Sequence, residues 1–174
     1  MECQPQHAVE ILSRTPTTLR ALLQDLSDPW THINLGAETW SAYDVVGHLI
    51  HGEETDWIPR AKIILQHGQS RPFEPFDRFA QFEPSKGQAL EDRLDKFAHL
   101  RQQNLETLQQ MSITSAQWEL RGTHPELGTV TLRQLLATWV VHDLDHIGQI
   151  VEALAKQYTE AVGPWKAYLP ILEE

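Results

Sequence analysis

His142 and His146 stand four residues apart in the run TWVVHDLDHIGQI. On an α-helix this spacing puts two imidazoles on one face, one turn apart, as two ligands of a single metal ion require. Counting in sevens gives one seam of Leu132, Trp139, His146 and Ala153 and another of Leu135, His142 and Gln149, so both rings fall on the inward stripe. A neutral imidazole in a core must satisfy two ring nitrogens, and an ion satisfies one on each ring at once. The plainer alternative is a pair of core histidines bonded to backbone or carboxylate groups. The inward pairing favours ligation. Two familiar sites are disfavoured by the neighbouring residues. A zinc peptidase carries Glu as general base where this chain has the shorter Asp143, and a di-iron bundle needs Glu-x-x-His on two helices where Asp143-x-x-His146 occurs once. Asp143 and Asp145 read as solvated residues or as hydrogen-bond acceptors behind the ligands.

A third ligand must come from another helix, and VVGHLIHGEE offers His48 and His51. The apolar stripe of Ala42, Val45, Val46, Leu49, Trp57 and Ile64 leaves His48 on its flank and His51 further round. His48 is therefore the candidate and His51 reads as exposed. Glu53 lies near the middle of the stripe, where an unpartnered carboxylate is costly, and three roles stay open for it: metal ligand, general base or ion pair. Trp139, one turn before His142, is either a substrate-binding wall or core. Cys3, near the N-terminus with no activating partner, reads as an idle thiol.

Four long helical segments must position these groups. The first, Ala8 to Leu26, is kinked or restarted at Pro16, with Ser13 or Thr15 as a cap, and Trp30 to Thr39 is a loop. Ser41 and Asp44 form a capping box for the second, with Trp40 and Val45 as its staple; it runs to about Gln66 and bends at Pro59. Residues 70–84, with Pro72, Pro75 and Pro84, make a long connection that either covers a pocket or crosses the bundle end. The third helix, about Lys86 to Met111, places Leu90, Leu94, Phe97, Leu108 and Met111 at bundle spacing and reads as scaffolding. Residues 112–130 read as an irregular loop. Thr131 and Gln134 then cap a fourth helix to about Gln157, followed by a tail with Trp165, Tyr168 and Leu172 that packs on the bundle. The expected fold is all-α: one domain over residues 1–174, a four-helix bundle whose long link lets helices two and three run parallel.

Composition narrows the function. Among 174 residues, 24 are Asp or Glu and 14 are Lys or Arg, a net charge of -10, and the basic residues are scattered. That disfavours nucleic acid, whose phosphates need clustered cations. No apolar run reaches the length of a membrane span, and MECQPQHAVE lacks the order of a signal peptide. A single cysteine forbids an intramolecular disulfide and suits the cytoplasm.

Trp40-Ser41 leading into Gly47-His48-Leu49 with Glu53, then His124-Pro125-Glu126-Leu127-Gly128 before TLRQLLATWVVHDLDHIGQI, resembles the DinB/YfiT-like superfamily of four-helix metalloenzymes. The resemblance covers nearly the whole chain. It implies an up-down-down-up bundle in which His48, His142 and His146 hold one divalent ion, with Glu53 at a position where members often have an acid. It also implies a homodimer and, for some members, transfer or isomerisation reactions that use a small thiol.

Three imidazoles leave an ion with open positions, so the expected activity is metal-dependent: zinc, nickel, iron or manganese activates a small thiol or water toward an electrophilic small molecule, with Glu53 as proton acceptor. The alternatives are a bundle that binds a metal or ligand without catalysis, and a metal-free interaction module.

Overall fold

A computed structural model describes residues 4–34, 36, 39–82 and 86–173. Cys3 and Pro84 lie outside them. The helices are α1 (Pro5–Leu12), α2 (Thr15–Leu23), α3 (Asp28–Thr31), α4 (Ala42–Thr55), α5 (Trp57–His67), α6 (Leu90–Gln110) and α7 (Leu132–Lys156). The bundle is built from α1 with α2, α4 with α5, α6, and α7. No helix among the described residues is long and apolar enough to cross a membrane.

Both expected capping boxes form. The Asp44 amide donates to Ser41 Oγ at 3.2 Å while the Ser41 amide donates to the Asp44 carboxylate at 3.0 Å. Thr131 and Gln134 do the same at the start of α7, at 3.1 and 2.8 Å. These contacts satisfy amides that have no partner inside the helix and fix where each ligand-bearing helix begins.

The proline effects appear upstream of the prolines. The expected bend at Pro59 is a break at Asp56 (φ -106°, ψ -70°), because Pro59 has no N–H for the carbonyl four residues earlier. Likewise α2 restarts at Thr15 just before Pro16, but neither Ser13 nor Thr15 caps it: Arg14 stands at the N-cap and makes no side-chain capping bond. Within the expected loop 30–39, Trp30 and Thr31 complete the short α3.

Residues 112–130 hold more order than an irregular loop. Arg121–His124 (β1) pairs antiparallel with Gly128–Thr131 (β2), Thr123 opposite Thr129. Gly128 has φ +74°, a left-handed turn conformation that glycine adopts without a steric cost. Gly122 permits close approach: a Cβ there would lie 2.7 Å from Ile64 and 2.9 Å from Phe73. β1 thus packs closely on α5, β2 lies against α7, and the Phe73 amide donates to the Thr123 carbonyl at 2.9 Å, pinning the connection that follows α5.

Two apolar clusters fill the interior. One joins Leu12 of α1, Trp57 and Ile64 of α5, Trp118, and Leu132, Leu136 and Trp139 of α7. The other joins Leu19 and Leu23 of α2, Val45 and Leu49 of α4, Phe97 of α6 and Ile150 of α7. Among the described residues of the tail only Leu172 is buried; Trp165 and Tyr168, expected against the bundle, are 71% and 78% exposed. Helix α6 starts at Leu90 rather than Lys86 and is not plain scaffolding, because Arg93 and Arg101 on it are each only 1% exposed. Arg93 lies 3.8 Å over the Tyr43 ring.

Candidate metal centre

α4 contributes His48, and α7 contributes His142 and His146. Their ligand atoms all lie within 4.8 Å of one another. The Nε2 atom of His142 is 3.1 Å from that of His48 and 3.1 Å from that of His146. The packing of α4 on α7 brings the rings together, the capping boxes fix where each of these helices begins, and the i, i+4 spacing sets the two rings of α7 edge-on at 4.3 Å.

Protonation favours ligation. Burial, with the neighbouring His146, His51 and Arg78, lowers the His48 pKa to about 3; burial, with His146, His48 and Arg101, lowers that of His142 to about 2. Both rings are therefore neutral at physiological pH, the form that binds a metal. Gln149 Oε1 lies 2.8 Å from His146 Nδ1; with the proton on Nδ1, that bond leaves the Nε2 lone pair facing the other two rings. A set of imidazole nitrogens aimed at one point suits a borderline divalent ion such as zinc or nickel.

The three rings open into a cavity of about 1840 Å³. Trp40 packs against His48 at 4.8 Å and stacks on His146 at 6.4 Å, while Phe76 meets His48 edge-on at 5.3 Å. Phe73, Phe79 and Phe82 also line the cavity, so the proline-rich connection covers the site rather than only crossing the bundle end. His51 is half-buried instead of exposed, and its ring packs on Phe76 at 4.9 Å, outside the ligand cluster. His124 lines the same cavity.

The structure places Glu53 in the ion-pair role. Its Oε1 accepts from Arg101 Nε at 3.1 Å, Arg101 Nη2 at 2.7 Å and Trp139 Nε1 at 3.0 Å, and its Oε2 accepts from Asn104 at 2.9 Å. It is not in the ligand cluster and does not line the cavity. Trp139, 2% exposed, is not in the cavity wall either; it stacks behind Trp57 at 5.7 Å, and Trp57 is the tryptophan that faces His142, at 5.0 Å. Asp143 is fully buried, not solvated: it receives Arg101 Nη1 at 2.5 Å, Arg101 Nη2 at 2.9 Å and Thr15 Oγ1 at 2.6 Å. Asp145 is exposed.

Sequence reasoning missed two groups. Arg101 was readable as a charge at a seam position, since Leu94, Arg101 and Leu108 follow one another at seven-residue intervals. Asp56 lines the cavity, pairs with Arg60 one turn on, and is 9% exposed; burial, opposed by Arg60, raises its pKa to about 6. Its signal was Pro59, which sets the helix break that turns it inward.

The sequence pattern of the DinB superfamily matches residues 11–150. The chain belongs to the DinB superfamily. Among solved structures it is similar to YfiT from Bacillus subtilis, described as a probable metal-dependent hydrolase with an unusual four-helix bundle topology. Identity is 23%, the match covers 88% of this chain and 87% of YfiT, and the TM-score is 0.76, which establishes the shared four-helix bundle. No curated protein sequence matches the chain. As a DinB-superfamily bundle it carries, from two of its helices, a three-histidine group that could hold a divalent ion.

Proposed function

We propose that this protein is a metal-dependent enzyme in which His48, His142 and His146 hold a divalent ion at the floor of an aromatic cavity. The observation that carries the reading is the convergence of three imidazole nitrogens where a small molecule can reach them. When bound, the ion would supply Lewis acidity and lower the pKa of a water or small thiol toward neutrality. The likeness to a probable hydrolase supports the water arm; the thiol arm rests on the family resemblance.

The chain's own residues would do the rest. Trp40, Trp57, Phe76 and Phe82 exclude water and offer flat apolar walls to the electrophile. Glu53, proposed from sequence as the proton acceptor, is held by four donor contacts, and its part in this reading is to hold the helices around the site. Asp56 is the buried carboxylate that does line the cavity, and its raised pKa lets it take and return a proton near neutral pH. Asp56→Asn is expected to lower turnover about 100-fold or more while leaving metal content unchanged.

The test loads the protein separately with zinc, nickel and manganese. Each form is offered activated esters, then a small thiol with an electrophilic acceptor, with and without chelator. Turnover that a chelator removes and the metal restores supports the reading, and the productive arm decides between hydrolysis and thiol transfer. Turnover indifferent to chelator rejects it, as does stoichiometric metal binding without turnover in either arm.

A further inference from the structure

Three neutral imidazoles bring no negative charge to a divalent cation, unlike thiolate or carboxylate ligands. Beside them, inside the bundle, two carboxylates share one guanidinium. The side chains of Glu53, Asp143 and Arg101 are 0%, 0% and 1% exposed. Each carboxylate rides on a ligand-bearing helix: Glu53 lies five residues after His48 on α4, and Asp143 directly follows His142 on α7.

The cluster carries one more negative charge than positive, an arrangement that is costly in a core unless something offsets it. Its remaining partners are neutral donors. Trp139 and Asn104 point at Glu53, and Thr15 points at Asp143, so the surrounding bonds hold the charge in place without cancelling it. Asp143 is joined by a peptide bond to the ligand-bearing His142 and is itself bound to Arg101, which holds the cluster beside the site.

We propose that Glu53 and Asp143, positioned by Arg101, form the counter-charge of the metal site and set its affinity for a divalent ion without touching it. The inference rests on the metal reading above. It assigns Glu53 a definite task, an electrostatic one exerted from behind the ligands.

The experiment is a zinc titration in competition with a chromophoric chelator, on the full chain and on Glu53→Gln, Asp143→Asn and Glu53→Asp, with circular dichroism and melting followed in parallel. The Gln and Asn variants are expected to bind one zinc at least about tenfold more weakly, because each loses a negative charge facing the ion across a low-dielectric interior. Glu53→Asp keeps the charge but breaks the bonding geometry, so it is expected to melt earlier yet hold zinc within about threefold of the parent. A folded Gln or Asn variant that binds zinc as tightly as the parent overturns the proposal, and so does a Glu53→Asp variant that loses as much affinity as Glu53→Gln. A parent chain that binds neither zinc nor, in the same titration, nickel or manganese removes the metal reading and this inference with it. Tight parental binding unmoved by Glu53→Gln removes only the inference.

Discussion

Arg101→Met is expected to destabilise the fold by about 3 to 5 kcal/mol, measured by urea denaturation at pH 7.5 beside the parent. The guanidinium donates to carboxylates on α4 and α7 and also, at 2.8 Å, to the Leu12 carbonyl at the end of α1. One side chain on α6 therefore ties together all the other arms of the bundle. Methionine fills similar volume but leaves two carboxylates facing each other in the core, and that uncompensated burial, rather than the lost bonds alone, sets the size of the loss. A loss below about 1 kcal/mol would show that the cluster contributes little net stability, as some buried ion networks do.

Acid is expected to have the second large effect. His48 and His142 have folded pKa values of about 3 and about 2, against 6.5 unfolded, so below pH 6.5 the unfolded chain binds protons that the folded chain refuses. Stability is therefore greatest above pH 6.5 and falls as pH drops toward 3. Asp56 works in the opposite direction. Its folded value of about 6 exceeds the unfolded 3.8, so between those limits the folded chain holds the extra proton and recovers part of the loss. With two protons taken up by the unfolded chain and one by the folded, metal-free protein should lose about 3 kcal/mol between pH 7.5 and pH 5. Denaturation across that range checks it, and a flat profile would mean that the two rings are charged in the fold.

The parts of this structure legible in the sequence are those written in local spacing. Ser41 with Asp44 and Thr131 with Gln134 announce two helix starts within four residues each, and His142 with His146 announces a shared face. What stayed hidden depends on which faces meet. Leu136, Asp143 and Ile150 follow a seven-residue seam, as do Leu94, Arg101 and Leu108, and all six residues are buried. The seven-residue count that seats His142 on a seam leaves Asp143 beside it open between solvent and an acceptor's place. Only the packing of α6 against α4 and α7 shows that Asp143 and Arg101 are buried and neutralise each other in part. Trp139 illustrates the converse: its seam position is correct, and Trp57, from the far side of the helix break, takes the place at the cavity. The β1–β2 hairpin escaped notice because each strand has four residues, too short for alternation to register.

The central claim is that His48, His142 and His146 form a single metal site. Elemental mass spectrometry of tag-free protein, beside His142→Ala prepared identically, tests it most directly. About one divalent ion per chain in the parent and none in the variant is the predicted result, since two remaining imidazoles on separate helices hold an ion far more weakly than three. Equal metal content in the two proteins, or a parent that stays metal-free after exposure to zinc, nickel and manganese, would contradict it and leave the three histidines as polar core.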